Sequence, residues 1–357
     1  MRLAAAVAAA AVFLSAGSLA ARAADLKSTA DAKIALSNFY AGNSWRQALL
    51  KSWSDTANQA IKDHIIAEAK IVNADNSATE QSSQIESLIV EGYKAIVVDP
   101  ISTTAINGAM EDACSAGVVV VVFNETATVP CAYHIVTDYV EDGRLQAKFL
   151  GEHLKGPANI LEIRGIAGTS ADVDMHNGLV DGLKAYPNIK IVGTVYGNWT
   201  QTVAQKEVAG VLPSLPPIQG VATQGGDGWG AYQAFHAAGR PTPIIIMGNR
   251  QDELALWKTL VDKDPNYQTF SVSSTPSSSK VAFWVAQQIL AGRHVPKTMN
   301  LPVTTIYKKD LDAWLKITPV GSLALTPFDQ SWTESFIDAA NSGKPAPEAP
   351  SPSMNAQ

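Results

Sequence analysis

Polar and aromatic side chains recur just beyond the apolar runs of this 357-residue chain. Asn43-Ser44-Trp45-Arg46 follows the run Lys33 to Phe39, and Asn124-Glu125 follows Val118 to Phe123. Asp172 and Asp174 come after Ile160 to Ile163, and Asn198-Trp199 after Ile189 to Tyr196. Gln224 and Asp227 follow Gly220 to Thr223, and Asn249-Arg250 follows Ile244 to Met247. Each group alone reads as helix caps, turn formers or core filler. Together they offer amides, carboxylates, arginine and two tryptophans at six strand ends. That set suits a neutral polyhydroxylated ligand. Planar amide and carboxylate groups satisfy hydroxyls that both donate and accept. Trp45 and Trp199 can pack on its C–H faces.

Nothing in the sequence assembles a catalytic constellation. There is no G-x-S-x-G elbow, no H-E-x-x-H and no Walker loop, and the glycines of Gly226-Asp-Gly-Trp-Gly230 lack a lysine. The six histidines are scattered. Asp172, Asp174 and Asp227 could be read as paired carboxylates of a sugar hydrolase, but caps and ligand hydrogen bonds explain them better. The expectation is a binding protein with no cofactor and no metal.

The elements that must position these groups follow from periodicity. Continuous apolar runs such as Ala95-Ile-Val-Val and Val118 to Phe123 mark strands covered on both faces, hence parallel sheets. They alternate with helical segments along the chain. Two such sets predict an α/β protein of two doubly wound lobes. Around the central loop, Gly165 and Gly168 permit a tight turn, and Thr169 or Ser170 caps the next helix.

A net charge of -6 argues against nucleic acid. Met1-Arg2, the apolar run Ala4 to Leu19 and Ala21-Arg22-Ala23 read as a signal peptide over 1–23. The mature protein is therefore expected in the periplasm, with no direct membrane insertion. Export permits a disulfide between Cys114 and Cys131.

From about Lys33 to Val303 the chain resembles the ribose-type periplasmic sugar-binding proteins of ABC importers. Gly165-Ile-Ala-Gly-Thr-Ser-Ala171 carries most of the likeness. Asp99-Pro100-Ile-Ser, the Asn124 loop, Thr137-Asp138 and Tyr196-Gly-Asn-Trp199 fall in the family's order. The resemblance implies crossovers between the lobes near Asp138, Thr275 and Thr304, with the ligand between lobes that close by hinge motion. Its boundaries would be 24–138 plus 275–304 for the first lobe and 139–274 plus 305–342 for the second. A disordered tail over 343–357 would follow. Family contacts carry over to Asn43, Trp45, Arg46, Asn124, Glu125, Trp199, Gln224, Asn249 and Ser274, with Asp138 near the site.

Several positions depart from the ribose type. That type has Asp-Arg where this chain has Asn124-Glu125, Arg where it has Met175, and two Phe where it has Trp45-Arg46. The last pair is more like a galactofuranose-binding branch. Arg46 is expected to pair with Glu125 or Asp172 in the closed form. The implied ligand is a pentose, a furanose sugar or a sugar alcohol. The implied partner is a membrane permease, for a monomeric receptor; a sensor domain feeding a chemotaxis or kinase receptor is the alternative. Trp199→Ala or Arg46→Ala is expected to abolish binding and leave the fold intact.

Overall fold

The computed structural model describes residues 26–42 and 44–352. The expected signal peptide and Asn43 lie outside them. The first lobe opens with β1 (Lys33–Asn38), α1 (Ser44–Lys62), β2 (Glu68–Asn73) and α2 (Ala78–Val90). It continues with β3 (Ala95–Asp99), α3 (Asn107–Ser115), β4 (Val119–Phe123) and β5 (Tyr133–Thr137). The chain then crosses to form α4 (Tyr139–His153), β6 (Ala158–Arg164), α5 (Ser170–Leu183), β7 (Ile189–Tyr196) and α6 (Gln201–Val211). The second lobe goes on through β8 (Gly220–Thr223), α7 (Gly228–Ala237), β9 (Ile244–Ile245), α8 (Gln251–Lys263) and β10 (Ser271–Ser273). A second crossing leads to α9 (Ser278–Leu290) and β11 (Thr298–Leu301), and a third to β12 (Thr304–Ile306) and α10 (Leu311–Ile317). The last helix is α11 (Gln330–Asn341).

The first sheet has the order β11-β5-β4-β3-β1-β2 and is parallel throughout. Its middle strands are β-branched and buried on both faces, as in Ala95–Asp99 and Val119–Phe123. The second sheet has the parallel order β7-β6-β8-β9. Met247 bridges it to Ser271, and β10 pairs antiparallel with β12. Strand order reverses between β1 and β3 in one sheet and between β6 and β8 in the other. Crevices open at the carboxyl ends of such strand pairs, so the topology places one crevice on each lobe.

Side chains fix the helix starts around those crevices. Ser77, Asp138 and Thr169 accept from the amides of Glu80, Glu141 and Asp172 to cap α2, α4 and α5. Helices α4 and α5 lie unusually close. A Cβ on Gly178 would stand 2.0 Å from the Val140 carbonyl oxygen, so only glycine fits there.

The C-terminal region departs from expectation. After α10 the chain crosses a fourth time near Thr326, in addition to the three expected crossings. Phe328, Phe336 and Ile337 join the first lobe's core, whereas residues 305–342 were expected in the second lobe. The tail is also ordered as far as it is described. Ala346 and Ala349 pack on the same core, and the Trp332 indole donates to the Glu348 carbonyl at 3.0 Å. The stacked rings of Trp332 and Phe336 give an extended Pro/Ala segment an apolar surface that its composition alone did not announce.

Candidate functional site

On the first lobe the crevice is built around Arg46. The first turn of α1 buries this arginine to 7% exposure. Its guanidinium pairs with Asp99, the last residue of β3, and reaches Glu125 Oε1 at 3.3 Å. Its carbon lies 4.4 Å from the Phe39 ring centroid and 5.2 Å from that of Trp45. Stacking on rings while pairing with two carboxylates suits a planar guanidinium. Asn124 donates to Asp99 at 3.2 Å from a left-handed backbone (φ 62°), which asparagine tolerates. Gln81 in turn donates to the Asp99 carbonyl at 2.9 Å. Burial pushes the Asp99 carboxyl up to about 7, against the lowering influence of Arg46.

The second lobe answers with the loop after β6. Asp172 binds Arg164 bidentately, at 2.8 Å to Nε and 2.7 Å to Nη2. Gln224, at the end of β8, accepts from the Gly165 amide at 2.7 Å and donates to the Asp172 carbonyl at 2.9 Å. The indole of Trp199 rests on Gly165, where a Cβ would come within 2.2 Å of the ring. Asn198 and Trp199 both hold positive φ, 53° and 52°, a costly conformation that loops keep where it aims a side chain. Arg250 reaches across to the other lobe, donating from Nη1 to Ser44 Oγ at 3.3 Å.

Several of the expected ligand contacts are buried. Asp172 is fully buried and engaged by Arg164, not by Arg46. Asp227 is also fully buried, under Gly197, and neither oxygen makes a hydrogen bond of good geometry. Burial first, then the charge of Glu253, raises its carboxyl well above the ordinary range. Asn249 is 2% exposed and donates to the Ser274 carbonyl at 3.1 Å. These groups shape loops.

Trp45, Trp199, Glu125, Asp138, Asp174 and Ser274 remain partly exposed around the cleft. Asp174 is held above its usual range by burial and then by the charge of Asp138. The sequence reading passed over Asp99, Phe39 and Arg164 as site residues. Asp99 carried a usable signal: a carboxylate ending an apolar strand and followed by proline. Arg164 carried none, because its partner lies on the next helix.

The Cys114–Cys131 disulfide is formed, over a sequence separation of 17. It closes the segment that carries Asn124 and Glu125. A cavity of about 860 Å³ lies elsewhere, at the opposite end of the second sheet, lined by His153, Arg240 and Tyr267 among others. None of the cleft residues lines it. Among the described residues no helix is long and apolar enough to cross a membrane, and no cluster of His, Cys, Asp and Glu could hold a metal.

A periplasmic binding protein domain matches residues 34–294. A solved ABC transporter solute-binding protein from Thermobispora bispora is 36% identical. Its match covers 90% of this chain and 100% of that one, with a TM-score of 0.78. The xylitol-binding protein of Mycolicibacterium smegmatis is 31% identical over 51% of this chain, a match spanning 53% of that relative. The ribose import binding protein of Bacillus subtilis is 27% identical over 65% of this chain and 75% of its own length. With two lobes, crevices at both sheet reversals and a family match over most of its length, the chain belongs to the periplasmic binding proteins.

Proposed function

We propose that this chain is the solute-binding component of an ABC importer and holds a small neutral sugar or sugar alcohol between its lobes. One observation carries the choice of ligand. Two of the three cleft arginines are matched by carboxylates on their own walls, Arg46 by Asp99 and Glu125, and Arg164 by Asp172, while Arg250 lies within the electrostatic reach of Asp227 and Glu253. A charged ligand would unbalance these buried pairs, whereas hydroxyls can share their remaining lone pairs and protons. The aromatic faces of Trp45 and Trp199 supply the apolar side of the same recognition. The relatives named for xylitol and ribose bind molecules of this class. In this reading the protein is exported after loss of residues 1–23, closes on its ligand and docks on a permease through both lobes.

A thermal-shift screen of the mature protein tests the reading with pentoses, hexoses, furanose sugars and sugar alcohols beside sugar acids and amino acids. A ligand at a hundredfold over its Kd adds about 2.7 kcal/mol to the native state. The expected result is a clear rise in Tm with one neutral polyol or sugar and none with its acid counterpart. A rise with charged ligands alone would overturn the assignment.

A further inference from the structure

The fourth crossing is paired along its backbone with a loop of the second lobe. Between α10 and α11 the chain runs beside the loop after β9. Ala324 donates to the Asn249 carbonyl at 2.8 Å, and Gln251 to the Ser322 carbonyl at 3.0 Å. Arg250 and Leu323 form an antiparallel bridge. The Asn249 side chain also reaches the Ala324 carbonyl at 3.5 Å. The loop that carries Asn249 and Arg250, and through Arg250 the contact with Ser44, is thus zipped to residues 322–324.

Two residues further on, the same segment enters the hinge. Thr326 is fully buried, and its hydroxyl meets that of Thr304, on the third crossing, at 2.5 Å. Its amide approaches the hydroxyl of Thr275, on the second crossing, at 3.4 Å. Thr275 also bonds Ser277 at 2.8 Å. Each of these three crossings contains a proline, Pro276, Pro302 or Pro327, which fixes φ and narrows the bending available to it. Beyond Pro327 the chain is anchored in the first lobe. Phe328 stacks near Trp332 (4.4 Å) and Trp332 near Phe336 (5.2 Å), and Arg293 pairs with Asp338 at 3.0 Å.

We propose that residues 322–328 form a strap that positions the Asn249–Arg250 loop and limits how far the two lobes can open. Its two ends are fixed on different lobes, so opening must stretch or unzip it. Thr326 is the positioning residue, because its hydroxyl and amide tie the strap to both neighbouring crossings. The inference rests on the arrangement of the lobes and not on the identity of the ligand.

Two ligand-free experiments test it. A protease site inserted between Pro327 and Phe328 lets the strap be cut after folding, while the aromatic stack keeps α11 docked. Size-exclusion and intact-mass measurements verify that the pieces stay together. Small-angle scattering should then show a larger radius of gyration for the cut protein than for the uncut one. An unchanged radius with the helix still bound overturns the restraint. In Thr326→Val, which keeps the side chain's shape, amides over 248–252 should exchange with solvent about tenfold faster, the ratio for losing one net hydrogen bond. A drop in Tm with unchanged exchange there would assign Thr326 to general stability and overturn its positioning role.

Discussion

Arg46→Met should cost the protein about 3–5 kcal/mol of folding stability as well as its ligand, because it strands a buried carboxylate. Asp99 is fully buried and its carboxyl already stands near 7 with Arg46 in place. Removing the arginine removes the main influence that lowers it. An acid whose folded-state value is raised favours the fold while protonated, and that advantage is lost as pH rises through the folded value. The cost of Arg46→Met should therefore grow as pH rises above about 7, where the parent's Asp99 ionises beside Arg46, and should be small at pH 5, where Asp99 is protonated in both proteins. Denaturant unfolding at pH 5 and pH 8 measures it. Adding Asp99→Asn should restore much of the stability at pH 8 and none of the binding. This differs from the sequence-level expectation that Arg46→Ala would spare the fold. If Arg46→Met unfolds at the same denaturant concentration as the parent at pH 8, the buried pair does not hold this wall together.

Replacing both Cys114 and Cys131 by serine should lower stability by about 3 kcal/mol in the chain-entropy account of a loop this size. The two sulfurs tie the end of α3 to the segment entering β5, and the residues between them include Asn124 and Glu125. The effect should reach the site. Calorimetric unfolding with and without reductant should lower the Tm of the parent and leave the double mutant unmoved. The ligand found by the screen should bind the double mutant more weakly. Equal melting of parent and mutant under oxidising conditions would show that neighbouring packing already fixes this segment.

The sheets were legible because their central strands leave little choice. Runs such as Val119–Phe123 bury both faces and can only be interior parallel strands. Strands β5 and β11 were not legible. Thr298–Leu301 has an ordinary composition and becomes a strand because Met299 and Leu301 register with Ile135 and Thr137, more than 160 residues earlier. The strap is hidden for the same reason, since its pairing partner is the loop at Asn249. At the site, residue type at strand ends singled out the loops that border the two crevices. It could not tell outward from inward. Asp172 turns in because Arg164, at the end of β6, pairs with it, and Asp227 because Gly197 leaves room above it. Such choices depend on neighbours that a local pattern does not contain.

The placement of the tryptophans has an optical consequence. Trp53, Trp257 and Trp314 are at most 1% exposed in the lobe cores. Their emission is a steady background, indifferent to how the lobes stand. Trp45 and Trp199 stand on opposite walls of the cleft, partly open to water. Closing the lobes strips water from both indoles at once, and indole emission shifts to the blue as its surroundings dry. The protein thus carries its own dye, one label on each jaw, and its colour reports the gap between them.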